Sequence, residues 1–204
     1  MPELSPKERV ERVFRREPVD TMPFFSGMGM VLRPAIEELG YKFPQVHRDP
    51  EKLARAAILS SKMYGFDSVV VPFDMCHESQ AIGNTISLYE DSEDTLYPTI
   101  PEKMGTSMDE VEIPADIADR WPITNIYEAI KIVKKEAPEY PVGAWQLGPF
   151  TMAGQVLELD ILLKGIFKET AKVEATLDKL SDMIIAIGQK CQEAGADYIT
   201  LREM

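Results

Sequence analysis

The chain has 204 residues, 45% of them hydrophobic and 27% charged, with a net charge of −12 from 34 acidic against 22 basic side chains. That balance is globular, and it argues against nucleic acid as a partner, because neutralising phosphates takes clustered Lys and Arg. With two cysteines, no cationic leader ahead of an apolar run and no apolar stretch near the roughly 18 residues of a membrane span, the expectation is a reduced, cytoplasmic protein.

The first element is announced by Ser5-Pro6-Lys7-Glu8, a capping box with proline in the first turn. The helix it opens runs to about Arg16 with Val10, Val13 and Phe14 on one face, and stops before Pro18. Its basic cluster, Arg9, Arg12, Arg15 and Arg16, has helical spacing and reads as a solvated face. Met22-Pro23-Phe24-Phe25 is the first expected strand, ending in a loop at Ser26–Met30. Asp49-Pro50-Glu51 starts a second helix that ends at Gly65.

Asp67-Ser68-Val69-Val70-Val71-Pro72 is a β-branched run without alternation, the pattern of a strand covered on both faces. Residues 73–124, rich in Pro, Asp, Thr and Ser, read as an irregular insertion within a single domain, with a short strand near 85–89. A third helix follows from about Ile126 to Glu136, and Pro141–Leu147 is the third strand. Short helices near 151–156 and 158–164 precede a long one over about 169–193 that ends at Gly195. Asp197–Leu201 is the fourth strand.

Strands alternating with helices argue for parallel βαβ units, in a barrel or a doubly wound sheet. Periodicity does not separate the two. No dinucleotide fingerprint or phosphate loop is present, since Gly27-Met28-Gly29 does not extend to G-x-G-x-x-G.

Four segments together resemble a known family: Pro6–Val10 through Glu17–Pro23, Gly65–Asp74, Gly148–Ala153 and Ala194–Ile199. Their order and spacing are similar to those of uroporphyrinogen decarboxylase-like proteins, above all the methylcobamide (corrinoid-dependent) methyltransferase branch. The resemblance implies the N-terminal half of a (β/α)8 TIM-type barrel: four parallel strands in sequential order with covering helices. Barrel sites lie at the C-terminal ends of strands, here Ser26–Met30, Phe73–Glu78, Gln146–Thr151 and Arg202–Met204.

In that branch a methyl group passes between a corrinoid protein, which carries the methylcobamide, and a small-molecule acceptor, a thiol or tetrahydrofolate. The thiol-using members hold zinc through a His-x-Cys pair and a later Cys. Cys76-His77 is adjacent and on another strand, so no metal ligands are expected in this chain, and Cys191 reads as a small buried hydrophobe. The decarboxylase branch would clamp a carboxylate-rich tetrapyrrole with arginines after strand one, but no arginine follows Phe25 until Arg33. Asp67 stands roughly where that branch has a catalytic aspartate, and also where a helix-to-strand junction commonly has one.

The residues expected to carry chemistry are Asp74, Glu78 and Glu203 as acid–base groups, with Met28, His77, Gln146 and Arg202 contacting substrate. Gln146 is expected to point to the barrel mouth. The alternatives are a decarboxylase-like lyase or a catalytically incomplete half-barrel that binds a corrinoid protein. Unpaired edges on the first and fourth strands, with only Pro23 guarding the first, predict a homo-oligomer.

Overall fold

The computed structural model describes residues 3–92 and 94–203. The elements run α1 (Pro6–Phe14), α2 (Arg33–Glu38), a 3-10 turn (Phe43–His47), α3 (Pro50–Tyr64), β1 (Val69–Val71), α4 (His77–Ile82), α5 (Ile123–Glu136), β2 (Val142–Leu147), α6 (Pro149–Val156), α7 (Leu159–Lys168), α8 (Thr170–Ala194) and β3 (Tyr198–Arg202). β1, β2 and β3 form a parallel sheet in that order, the α/β arrangement of the barrel half that the sequence implies. No helix among the described residues is long and apolar enough to cross a membrane.

The chain divides into two compact units. One holds residues 1–73, 125–145 and 191–200; the other holds 74–124, 146–190 and 201–204.

In the first unit, local sequence dictates the helix ends. Ser5 and Glu8 form the reciprocal capping box at α1. Asp49 accepts from the Glu51 and Lys52 amides at the start of α3, and Gly65 ends that helix at φ 69°, where a side chain would be strained. α3 turns Leu53, Ala56 and Ala57 inward. β1 and β2 register Val69 to Val142, Val70 to Gly143 and Val71 to Ala144. The Asp197 amide continues the ladder onto the Val142 carbonyl.

The first expected strand, 22–26, is not a strand, which leaves three strands among the described residues in place of four. Pro23 has no amide to give to a ladder, and its neighbours are held by polar side chains instead. The Phe24 amide donates to Asp67 Oδ2 at 2.8 Å, its carbonyl accepts from the Asp67 amide, and the Ser26 amide donates to Ser68 Oγ. Tyr198 Oη and Thr200 Oγ1 then donate to the Ser26 and Gly27 carbonyls. Gly29 is required here, because a Cβ would lie 1.9 Å from the Pro72 carbonyl oxygen.

The reading of the α1 basic cluster as a solvated face fails at Arg9, which is 9% exposed. Its Nε lies 2.8 Å from Asp20 Oδ1, and its other nitrogens reach Asp67, Asp20 Oδ2 and the Leu4 carbonyl. The fork thus donates to three acceptor groups, the Asp20 and Asp67 carboxylates and the Leu4 carbonyl. The hydrogen bonds from Arg9, then those from the Leu4 and Thr21 amides, hold Asp20 well below the ordinary carboxylate range. Asp67 is thus an anchor for Arg9 and for Phe24.

In the second unit, residues 74–124 are less regular than a barrel repeat but not structureless. They contain α4, two single 3-10 turns and an antiparallel bridge between Ser87 and Thr99 where a short strand was expected. α8 buries Val173, Leu180, Met183, Ile184 and Ile187 at helical spacing. The Gly148 amide donates to the Arg202 carbonyl.

Candidate functional site

The strongest constellation is built by the six residues after Val71-Pro72-Phe73. Asp74 Oδ1 accepts from the Cys76 amide at 2.7 Å, an Asx-type turn that swings the chain into α4. Two side chains of the first turn of α4, His77 and Glu78, are thereby drawn in beside Asp74. His77 Nδ1 lies 3.0 Å from Asp74 Oδ2. Asp74, His77 and Glu78 are 4%, 3% and 2% exposed.

Burial at this depth penalises the charged form of every member. For Glu78 burial is the largest influence, and the carboxyl is pushed up to about 7. For His77 burial alone would lower the proton affinity, but the adjacent Asp74 and the Glu78 charge outweigh it and the net direction is upward. Around neutral pH the Glu78 carboxyl is therefore part protonated, beside an imidazole whose protonated form Asp74 favours. Both His77 nitrogens and Glu78 Oε1 are buried without a well-aligned hydrogen-bond partner in the protein, although Nδ1 lies within ion-pair distance of Asp74. Buried polar groups left open in this way are rare outside functional sites.

The neighbouring polar contacts are closed. Ser79 Oγ donates to Gln155 Oε1 at 2.7 Å, Asn84 Nδ2 donates to the Gln155 carbonyl, and Asn84 Oδ1 accepts from the Met104 amide. Sequence reasoning did not single out Ser79, Asn84 or Gln155. The only available signal was the polar run His77-Glu78-Ser79-Gln80 after a buried strand.

The cluster does not fit zinc. The Cys76 thiol is buried, donates to the Pro98 carbonyl and is pushed up to about 12 by burial and then by Asp74 and Glu78, the opposite of what a thiolate ligand needs. Cys191 is buried in α8, and no group of three or more metal-ligating side chains occurs among the described residues.

The other expected site residues divide. Glu203 is a cap where an acid–base group was expected. Its carboxylate accepts from the Phe150 and Thr151 amides at 3.0 and 2.9 Å and from Thr151 Oγ1 at 2.7 Å, at the start of α6. Burial opposes its charge, but those three hydrogen bonds outweigh it and lower its proton affinity. Gly148 makes room, since a Cβ there would lie 2.4 Å from the Glu203 carboxyl carbon. Gln146 is buried with its amide donating to the Ile184 carbonyl at 3.2 Å, so it faces α8 and not a strand-end opening. Gln146 therefore lies on the α8-facing side of β2, one residue out of phase with the expected alternation. Arg202 is half-buried at the end of β3, and Met28, in the other unit, is half-buried with its amide held by Ser26 Oγ. Met204 lies outside the described residues.

The family model for "Uroporphyrinogen decarboxylase (URO-D)" matches residues 5–203. The chain belongs to the uroporphyrinogen decarboxylase family. Among curated members of this family, it is 28% identical over 204 residues to the methylcobamide:CoM methyltransferase MtaA of Methanosarcina barkeri, covering 100% of the chain and 60% of that protein. It is 32% identical over 205 residues to the methylcobamide:CoM methyltransferase MtbA of Methanosarcina mazei, covering 98% of the chain and 59% of that protein. A solved methyltransferase from Methanosarcina mazei superposes with a TM-score of 0.88 at 26% identity, over 98% of the chain and 59% of that structure. The chain thus spans about three-fifths of the length of these relatives.

Proposed function

We propose that this chain belongs to a methyltransferase that moves a methyl group from a methylated corrinoid, carried on a partner protein, to a small thiol. The observation that carries the reading is the similarity of the whole chain to proteins named methylcobamide:CoM methyltransferases. The loop at Ser26–Met30 supports it, because it has no guanidinium to clamp the carboxylates of a tetrapyrrole. A thiol is preferred to tetrahydrofolate as acceptor, since both named relatives act with CoM.

In this reading Asp74, His77 and Glu78 are the acid–base and substrate-orienting groups that the chain contributes, and Met28 and Arg202 are further candidates for substrate contact. No group of three or more metal-ligating side chains lies among the described residues. We further propose that the chain self-associates, because Ile199 and Leu201 on the edge strand β3 are 37% and 60% exposed. Sedimentation equilibrium that returned only monomer would rule this out.

The test of function is spectroscopic. Free methylcobalamin is mixed with the chain and an alkanethiol without oxygen, and loss of the methyl–cobalt absorption is followed beside formation of the thioether. Methyl loss well above that with thiol alone is expected. Conversion of uroporphyrinogen to products with fewer carboxylates, with no methyl loss, would favour the decarboxylase reading instead.

A further inference from the structure

α7 (Leu159–Lys168) carries more apolar surface than its own unit covers. Its inner face packs into the core: Leu162 is fully buried, and a Cβ at Gly165 would lie 2.7 Å from Met108 Cε and 2.9 Å from Val173 Cγ2. Beside that face, Leu159, Leu163, Ile166 and Phe167 recur at i, i+4, i+7 and i+8 and are 51%, 45%, 37% and 87% exposed. Single exposed apolar residues are ordinary. Four in one continuous stripe, with an aromatic ring almost wholly in solvent, mark a contact surface. Asp160, Lys164 and Lys168, again at helical spacing and all exposed, line the stripe's outer border, and Lys164 Nζ lies 2.7 Å from Asp160 Oδ2.

The order of charge along α7 says which partner fits. Its acidic groups, Glu158 and Asp160, stand at the N-terminal end, and its basic ones, Lys164 and Lys168, in the second half. Such a helix is complementary to a copy of itself run antiparallel, because each acidic end then meets a basic end and the helix dipoles oppose; a parallel pairing sets like on like. We propose that α7 is a homodimer interface, with two copies packing their Leu159–Phe167 stripes antiparallel about a two-fold axis near Leu163. This rests on the self-association proposed above and gives it a surface separate from the β3 edge. The axis sets Leu159 of one copy against Phe167 of the other, and Asp160 of one copy against Lys164 and Lys168 of the other. Burial of the stripe drives association, and the charge pairs at its rim fix the direction. The net charge of −12 disfavours the other use of an amphipathic helix, lying on an anionic lipid surface.

The experiment is sedimentation equilibrium of the 204-residue chain and its variants, each checked for a native circular dichroism spectrum. The parent should be dimeric at micromolar concentration. Phe167→Asp and Leu163→Asp, both at exposed positions, should weaken association on the order of 100-fold, whereas Leu201→Asp on β3 should leave it unchanged. Asp160→Lys and the Lys164→Asp, Lys168→Asp double variant should each self-associate poorly, and mixing the two should restore dimers because opposite charges then face each other. Direction is read by cross-linking under a mild oxidant, with both native thiols buried. Leu163→Cys, beside the axis, should cross-link to itself, and Leu159→Cys only when mixed with Phe167→Cys. Self-cross-linking of Leu159→Cys overturns the antiparallel pairing. A monomeric parent overturns the proposal together with the self-association it rests on, and binding of that monomer to anionic vesicles through Phe167 would give the stripe to a membrane instead. A dimer that survives Phe167→Asp and Leu163→Asp but is lost in Leu201→Asp overturns the α7 interface alone.

Discussion

Two buried charge clusters in this protein have nearly the same ingredients and opposite finish. In the first unit, Arg9, Asp20 and Asp67 meet each other and the backbone until no polar atom pointing inward is open. In the second unit, Asp74, His77 and Glu78 are more deeply buried, yet both His77 nitrogens and Glu78 Oε1 lack a well-aligned hydrogen bond. Burying a charge costs several kcal/mol whatever its purpose, and pairing repays that cost only when all the valences are met. The closed cluster is therefore architecture, tying α1 to the segment before β1. The open one retains a desolvation cost that no group in the protein offsets, which is what makes it the candidate site.

The sharpest way to break this comparison is to open the closed cluster. Arg9→Ala leaves Asp20 and Asp67 without their shared cation and should cost clearly more than the loss of a surface pair in urea unfolding. A loss under about 1 kcal/mol, the scale of a surface pair, would show that the cluster is not structural.

Opening and closing should have opposite signs, so neutralising the second cluster should stabilise. Glu78 titrates at about 7 in the folded chain against an ordinary 4.5, so the folded state holds the proton more tightly than the unfolded one. Its contribution is complete below about 4.5 and is lost as pH rises through about 7. His77 acts in the same sense, since its raised proton affinity stabilises at low pH and that gain fades as pH rises. Glu78→Gln should therefore gain up to roughly 3 kcal/mol at pH 8 relative to the parent and flatten the decline between pH 5 and 8. A variant that is less stable than the parent at pH 8 would mean that the carboxylate has a partner after all.

Smaller effects mark the edges of the comparison. Glu203→Ala removes the cap of α6 and should cost about 1 kcal/mol in thermal unfolding, with little change in the pH dependence near neutrality. If that variant instead abolished methyl transfer while leaving stability intact, its expected acid–base part would be restored. Smallest of all is Lys7→Ala. Lys7 shares Asp197 with Lys134, both partly exposed, so the change should cost well under 1 kcal/mol and vanish in molar salt.

Local chemistry made much of this legible in advance. The capping boxes and caps at Ser5, Asp49 and Gly65 act over three or four residues, and they fell where the sequence put them. Asp74, His77 and Glu78 stood out as polar residues just beyond a wholly apolar strand, and they do come together. α4 was not legible, because six residues without a side-chain cap and with a polar first turn carry no helical period. The burial of Arg9 was hidden for another reason: its spacing with Arg12, Arg15 and Arg16 is that of a solvated face, and its partner Asp67 is 58 residues away.

By itself the sequence determined the βα alternation, the ends of the long helices and the apolar strands β1 and β2, since these depend on dihedral preference, capping and burial within a short window. Only the tertiary structure decided which charges are satisfied. Whether Glu203 is a base or a cap, whether Gln146 faces α8 or an opening, and whether residues 22–26 pair in a ladder or are held by Asp67 and Ser68 all turn on partners tens of residues distant. A side chain's identity sets what it can bond, and the distance between its atoms and another element's sets what it does bond, because a hydrogen bond is gone within an ångström of its optimum.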